Sequence, residues 1–280
     1  MNRFEKLGYL EDDFKMFHIA DRHRQEFDFH YHDFNKVLIF LSGNIHYTIE
    51  GRNYPLKPYD IVLVNAGEIH RPSILDDSPY ERIIIYVSTQ FLNSYANKGD
   101  DLNYCFQRVR QEHSNVLRIP SIEKSKLYQV CLELEHSFED NAFARELYQR
   151  ILFLEFMIQL NRTAISNHIN YMDSVLGNTK LIQILAYINE NLTQDLSIDH
   201  LSEKFFLSRY YLMHFFKEET GYTIGNYITE KRLLLAKNLV QSGSTTTEAC
   251  FQSGFKNYST FSRAFKKAYH TIPKKAPYID

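Results

Sequence analysis

The stretches LSRYYLMHFFKEETGYTIGNYITEKRLLLAKNL (Leu207–Leu239) and GFKNYSTFSRAFKKAY (Gly254–Tyr269) decide how this chain folds. Leu212, Phe216 and Lys217 of the first reappear 49 residues on as Phe261, Phe265 and Lys266 of the second, and Ser208 and Asn257 share that offset. Upstream the offset becomes 48, pairing Ser197 with Thr245 and Leu207 with Phe255, because Lys256 adds one residue to the second turn. A repeated unit is therefore expected: a capped short helix, a tight turn, and a capped longer helix. In the first copy the short helix runs from Ser197 to Phe205, turns through Phe206 and Leu207, and restarts at Ser208. The second opens on Thr245 with Glu248 three residues later, the spacing of a capping box. It turns at Gly254–Phe255 and restarts at Asn257. Such a pair is a helix-turn-helix, whose second helix fits the major groove of DNA.

Between the copies, Thr223 to Ser242 reads as one helix with Ile224, Tyr227, Ile228, Leu235 and Leu239 on its apolar side, and Gly243 stands where a C-terminal cap belongs. At 1.5 Å per residue it is about 30 Å long, against about 34 Å between successive major grooves on one DNA face. A strut of that length suits two reading helices in adjacent grooves.

Helix phase then assigns faces. Leu212 and Phe216 turn inward, which leaves Tyr210, Met213 and His214 outward and Arg209 beside the DNA backbone. Phe261 and Phe265 turn inward, which leaves Tyr258, Ser259, Ser262 and Arg263 outward. Arg263 is the foremost base reader, since arginine pairs bidentately with guanine at roughly 1–3 kcal/mol of discrimination. Tyr210 and Met213 offer apolar contact to thymine methyl groups. Lys217, Lys266 and Lys267, with the backbone amides after Ser208 and Asn257, are phosphate candidates. Ordinary alternatives stand beside these: solvated surface lysines, and tyrosines packed at a helix edge.

Charge agrees. Lys204 to Lys275 hold 12 Lys or Arg against 4 Glu, whereas residues 1–174 hold 19 Lys or Arg against 25 Asp or Glu, so a basic module follows an acidic one within a net charge of -2. The 280 residues allow about two domains. The N-terminus has no apolar signal stretch, and Ile151 to Leu160 is too short to span a membrane. Cys105, Cys131 and Cys250 show no zinc or disulfide spacing, so a cytoplasmic location is expected.

Residues 27–90 are strand-like: VLIFL, HYTIEG, DIVLVN and ERIIIYVS are separated by turn residues, as in an antiparallel sandwich or barrel. At 121–165 the period becomes helical. Leu127, Val130, Leu134 and Phe138 share a face, with Ser121 a plausible N-cap, and Phe143 to Arg162 is apolar around much of its circumference. It suits burial against the barrel or a dimer interface.

The C-terminal motifs closely resemble the AraC/XylS family of transcriptional regulators over about 100 residues. The sequence departs from that family at Phe206, where a turn glycine is usual, at Thr246, Ala249 and Ser253, where larger apolar residues are usual, and at its end, His270 to Tyr278. The DNA-facing positions above match those the family uses. His30-Tyr-His32, Ser42-Gly43, Tyr59-Asp60 and Glu68-Ile-His70 resemble, more loosely, the cupin-type sensor domain of many members. The resemblance implies an α+β multidomain protein: a cupin-like β-barrel with dimerisation and effector binding at 1–165 (helical segment 121–165), a linker at 166–178, and an all-α DNA-binding domain with two helix-turn-helix units at 179–280. It also implies a homodimer on double-stranded DNA, acting on RNA polymerase, more often as activator than repressor, in response to a sugar or related small molecule. His30, His32, His46, Tyr47, His70 and Tyr86 are the ligand-binding candidates, about half of them inward by strand alternation.

Cupin enzymes hold a metal with His-x-His, a Glu and a later His. His30, His32 and His70 could serve, but Lys36 occupies the Glu position and repels a cation, so no metal, cofactor or catalytic residue is expected. The competing readings are a metal-dependent cupin enzyme with an appended DNA module, and a constitutive DNA-binding protein with a ligand-free barrel.

Overall fold

A computed structural model describes residues 10–21, 26–96, 100–166, 169–175 and 177–273. The chain divides into a sheet unit and a helical unit.

The sheet unit holds β1 (Phe14–Asp21), β2 (Asn35–Ser42), β3 (Ile45–Ile49), β4 (Arg52–Pro55), β5 (Ile61–Val64), β6 (His70–Ile74), β7 (Tyr80–Val87), α1 (Thr89–Ser94), α2 (Tyr104–Gln111), β8 (Val116–Arg118), α3 (Lys126–Ser137), α4 (Arg145–Ile165) and β9 (Asn170–Tyr171). Two antiparallel sheets form, in the orders β1-β7-β2-β5-β8-β9 and β4-β3-β6. Both faces of the larger sheet are covered. Val37, Ile39, Ile83 and Ile85 pack against Phe153, Phe156, Met157 and Leu160 of α4. Leu38, Phe40, Val62 and Ile84 face Tyr47, Ile49 and Tyr54 of the second sheet. A strand buried on both sides gains nothing from polar alternation, which is why VLIF and IVLV are continuously apolar. The second sheet alternates, with His46 and Thr48 half-buried between buried Ile45, Tyr47 and Ile49.

Several expectations need correction here. The N-cap of α3 is Ser125, whose hydroxyl accepts from Tyr128 N; Ser121 sits left-handed before a 3-10 turn at Ile122–Lys124. Asn170 and Tyr171, read as linker, pair with Arg118 and Leu117, because β8 still has an open edge there. Asn167 and His168 of that linker lie outside the described residues, as do the chain-end residues from Lys274.

The helical unit holds α5 (Thr179–Glu190), α6 (Ile198–Phe205), α7 (Arg209–Thr220), α8 (Ile224–Gln241), α9 (Thr246–Gln252) and α10 (Tyr258–Tyr269). The hexapeptide Asp28–Asp33 belongs to it too. Tyr31 Oη donates to Glu230 at 2.7 Å, Lys237 pairs with Asp33 at 2.7 Å, and Tyr222 Oη donates to the Phe29 carbonyl at 2.8 Å. Glu230 and Lys237 are two turns apart on α8, so one helix face receives both contacts. The seam of α8 also differs from the expected one. Ile224, Tyr227 and Ile228 are buried, but the second half buries Leu233, Ala236 and Val240, leaving Leu235 and Leu239 half-buried.

Candidate nucleic-acid interface

The two helix pairs are built alike. In the first, Ser197 caps α6 by accepting from His200 N, and Ser208 caps α7 by accepting from Tyr211 N. In the second, Thr245 and Glu248 form a reciprocal capping box on α9, and Asn257 accepts from Thr260 N to cap α10. Each turn closes with the same long-range backbone bond, Leu207 N to Ser202 O at 3.0 Å and Phe255 N to Cys250 O at 3.1 Å. That bond needs a left-handed residue just before it. Phe206 supplies it with φ 55° in the first turn, and Gly254 with φ 91° in the second.

Leu212, Phe216 and Phe261 are fully buried and Phe265 nearly so. This fixes the rotation of α7 and α10. Ser208, Arg209, Tyr210, Met213, His214 and Lys217 are then exposed on α7 and its cap, and Asn257, Tyr258, Ser259, Arg263, Lys266 and Lys267 on α10 and its cap; Ser262 is half-buried. Arg209 Nε meets Asp199 at 2.6 Å, a solvent-exposed pair of about 0–1 kcal/mol that a phosphate can displace. The Tyr210 and His214 rings lie 4.2 Å apart. Tyr258 is partly committed, its hydroxyl donating to Thr246 Oγ1 at 3.3 Å and its ring meeting Phe261 edge-on. Among the described residues Arg263 bonds only the Ser259 carbonyl, at 3.3 Å. Its guanidinium retains donors for a base edge.

Two neighbours were missed by phase alone. Tyr211 is half-exposed and stacked on Phe215, and Lys256, the extra turn residue, is exposed beside the α10 cap. The single-residue insertion was the available signal for Lys256.

The ligand candidates divide. Tyr47, His70 and Tyr86 lie within the sheet unit; Tyr47 and His70 are fully buried with rings stacked 6.0 Å apart, and Tyr86 is half-buried. His46 falls in the outward half of the alternation, half-buried and hydrogen-bonded to Asn53 at 3.2 Å. His30 and His32 are buried in the hexapeptide counted with the helical unit, 5.1 Å apart edge to face, and the Asp28 carbonyl accepts from His30 Nδ1 at 3.0 Å.

A sheet unit with a tyrosine-lined interior, joined to a basic unit carrying two exposed, cap-initiated helices, defines a DNA-binding regulator with a ligand-binding domain. The family described as AraC-like ligand binding domain matches residues 15–152, and the family described as Helix-turn-helix domain matches residues 201–276. The chain belongs to the AraC/XylS family of transcriptional regulators. It is 26% identical over 249 residues to the HTH-type transcriptional activator RhaS of Mannheimia succiniciproducens, across 88% of this chain and 87% of that protein. To RhaS of Escherichia coli it is 21% identical over 255 residues, across 89% and 87%. A crystal structure of ToxT from Vibrio cholerae superposes with a TM-score of 0.37 and 17% identity, across 94% of this chain and 97% of that one. The RhaS relatives are named as transcriptional activators, and the chain is a DNA-binding regulator rather than a cupin enzyme. Among the described residues no helix is long and apolar enough to cross a membrane.

Proposed function

We propose that α7 and α10 enter two successive major grooves of one operator, with Arg263, Tyr210 and Met213 at base edges and Lys217, Lys266 and Lys267 on phosphates. The observation that carries this reading is the pair of exposed, capped helices held at the two ends of α8, whose 18 residues span about 27 Å. The effector is a sugar or related metabolite bound in the sheet unit, where Tyr47, His70 and Tyr86 supply rings and hydrogen-bonding groups. It acts by shifting the population of DNA-competent states. The protein works in the cytoplasm as a homodimer and activates transcription through RNA polymerase, activation being the mode named for the RhaS relatives. The dimer is supported by α4, where Leu147, Ile151, Ile158 and Ile165 remain exposed at roughly heptad spacing.

The test is a binding titration on specific and random duplexes across a salt series. Arg263→Ala relaxes preference at one base position, at about 1–3 kcal/mol. Lys266→Ala weakens binding to all sequences and flattens the salt slope by about one. If both variants bind both duplexes as the parent does, α10 is not a reading helix.

A further inference from the structure

The interior of the sheet unit holds a buried lysine that, among the described residues, no carboxylate pairs with. Lys36 is 5% exposed on β2, on the same face as Leu38 and Phe40, and is paired across the sheet with Tyr86 of β7. Its ammonium donates to Tyr47 Oη at 3.0 Å and lies 5.6 Å from the Tyr47 ring centroid. The nearby Arg82 is already neutralised by Asp21 at 2.5 Å and also donates to the Tyr80 carbonyl. Among the described residues the other buried acids of this unit have their own donors. Asp60 is gripped by Arg118 Nε and Nη2 at 2.7 and 2.6 Å. Glu68 accepts from Asn65 and Asn115, and Glu50 from Ile69 N. Among the described residues no carboxylate pairs with Lys36.

A buried ammonium facing one phenol and a second cation is costly, and such a group either loses its proton or gains an anion. Burial, with Arg82 adding to it, pushes Lys36 down to about 7. A hydrophobic residue would fill this place on a sandwich-facing strand at no such cost. The geometry points to Lys36 and Tyr47 as the anchor for the carboxylate of a hydroxylated acid, so that the effector is a sugar acid rather than a neutral sugar. One carboxylate would give Lys36 an ion-pair partner and can accept from both the ammonium and the phenol, two charge-assisted bonds. A phosphate ester fits less well, because its second charge would need a further free donor and Arg82 is committed to Asp21. This inference rests on the effector-responsive reading above and sharpens which effector the sheet unit selects.

The experiment is a thermal-shift comparison on the full-length protein and on Lys36→Met, with matched probes: glucose against gluconate, galactose against galacturonate, and a hexose phosphate. The acids are expected to raise the melting temperature of the parent and leave Lys36→Met unmoved, while the neutral sugars move neither. Lys36→Met is further expected to melt no lower than the parent without ligand, because it exchanges a buried charge for an apolar chain of similar length; circular dichroism checks its fold. Neutral sugars that stabilise both proteins equally would overturn the carboxylate assignment and leave the sugar-effector reading standing. The same holds, in favour of a phosphate, if only the hexose phosphate acts. A panel without effect on either protein, with Lys36→Met melting well below the parent, would overturn the assignment by making Lys36 a structural residue.

Discussion

The two turns pose the same backbone demand and meet it with opposite residues, which makes Gly254→Ala and Phe206→Gly a matched pair. A Cβ on Gly254 would lie 2.3 Å from the Leu192 carbonyl oxygen and 2.8 Å from Arg232 Nε. Arg232 cannot retreat freely, because its Nε donates to Leu192 O at 2.7 Å and its Nη2 to Gln194 O at 2.9 Å. Left-handed strain for alanine costs about 1–2 kcal/mol. Losing a charge-assisted bond costs about 1.5–3 kcal/mol more. The stiffer unfolded chain returns about 0.4–1 kcal/mol. The net loss is about 2–4 kcal/mol. Phe206, by contrast, is 94% exposed, so Phe206→Gly surrenders no packing and recovers about 1 kcal/mol of the same strain. Because a two-unit chain need not melt in one step, amide hydrogen exchange resolved by peptide is the right assay. Amides of α9 and α10 should exchange roughly 30- to 700-fold faster in Gly254→Ala, and those of α6 and α7 about fivefold slower in Phe206→Gly, at 1.4 kcal/mol per decade. Parent-like protection in Gly254→Ala would refute the claim that the second turn is sterically closed.

Two further outcomes are expected. Both ring nitrogens of His18 face carboxylates, Nδ1 to Glu135 at 2.5 Å and Nε2 to Glu81 at 3.0 Å; burial lowers its pKa, but the two carboxylates outweigh it and the net shift is upward. The clamp's stabilisation is therefore full below the unfolded histidine value near 6.5 and is lost as pH rises through the raised folded value, so the melting-temperature gap between parent and His18→Gln should close with rising pH; a gap that widens refutes it. One alanine inserted after Thr229 should rotate the second helix pair by about 100° and advance it about 1.5 Å relative to the first, and footprints that still cover both grooves would show that α8 does not set the register.

How much of this was readable in advance follows from how local each cause is. Ser208, Asn257 and the Thr245–Glu248 box act within one turn of their own helices, so their sequence spacing already contains the structure. The positions of β9 and of the α3 cap are different. Asn170–Tyr171 becomes a strand only because β8 offers an edge, and Ser121 loses the cap to Ser125 because a 3-10 turn intervenes. β1 gave little signal, since its eight residues are half-buried or exposed without regular alternation. α2, Tyr104–Gln111, is short, and only its Cys105, Phe106 and Val109 reach the core. Lys36 was conspicuous as the wrong residue for a metal, yet its burial depends on the pairing of β2 with β5 and β7. That the hexapeptide Asp28–Asp33 joins the helical unit had no local signature, because Glu230 and Lys237 lie about 200 residues away along the chain.

The shift of seam along α8 bears most directly on DNA recognition. Its first half serves one core, where Tyr227 meets the Phe216 ring of α7 at 5.5 Å. Its second half serves another, where Leu233, Ala236 and Val240 pack with Phe255, Phe261 and Phe265. From Ile228 to Leu233 is five residues, so the two faces stand about 140° apart around the axis. A single continuous helix thus fixes both the separation of the reading helices and their rotation. A duplex demands both at once, because adjacent grooves on one face come at about 34 Å and only in one azimuth. A flexible tether would meet the distance but leave the rotation to chance, diluting the second binding event by every misaligned orientation. Arg232 extends the constraint by bonding carbonyls just after α5. The steric closure at Gly254, which that arginine enforces, is therefore part of how the second reading helix is aimed, and a substitution there should disturb operator choice even where the domain remains folded.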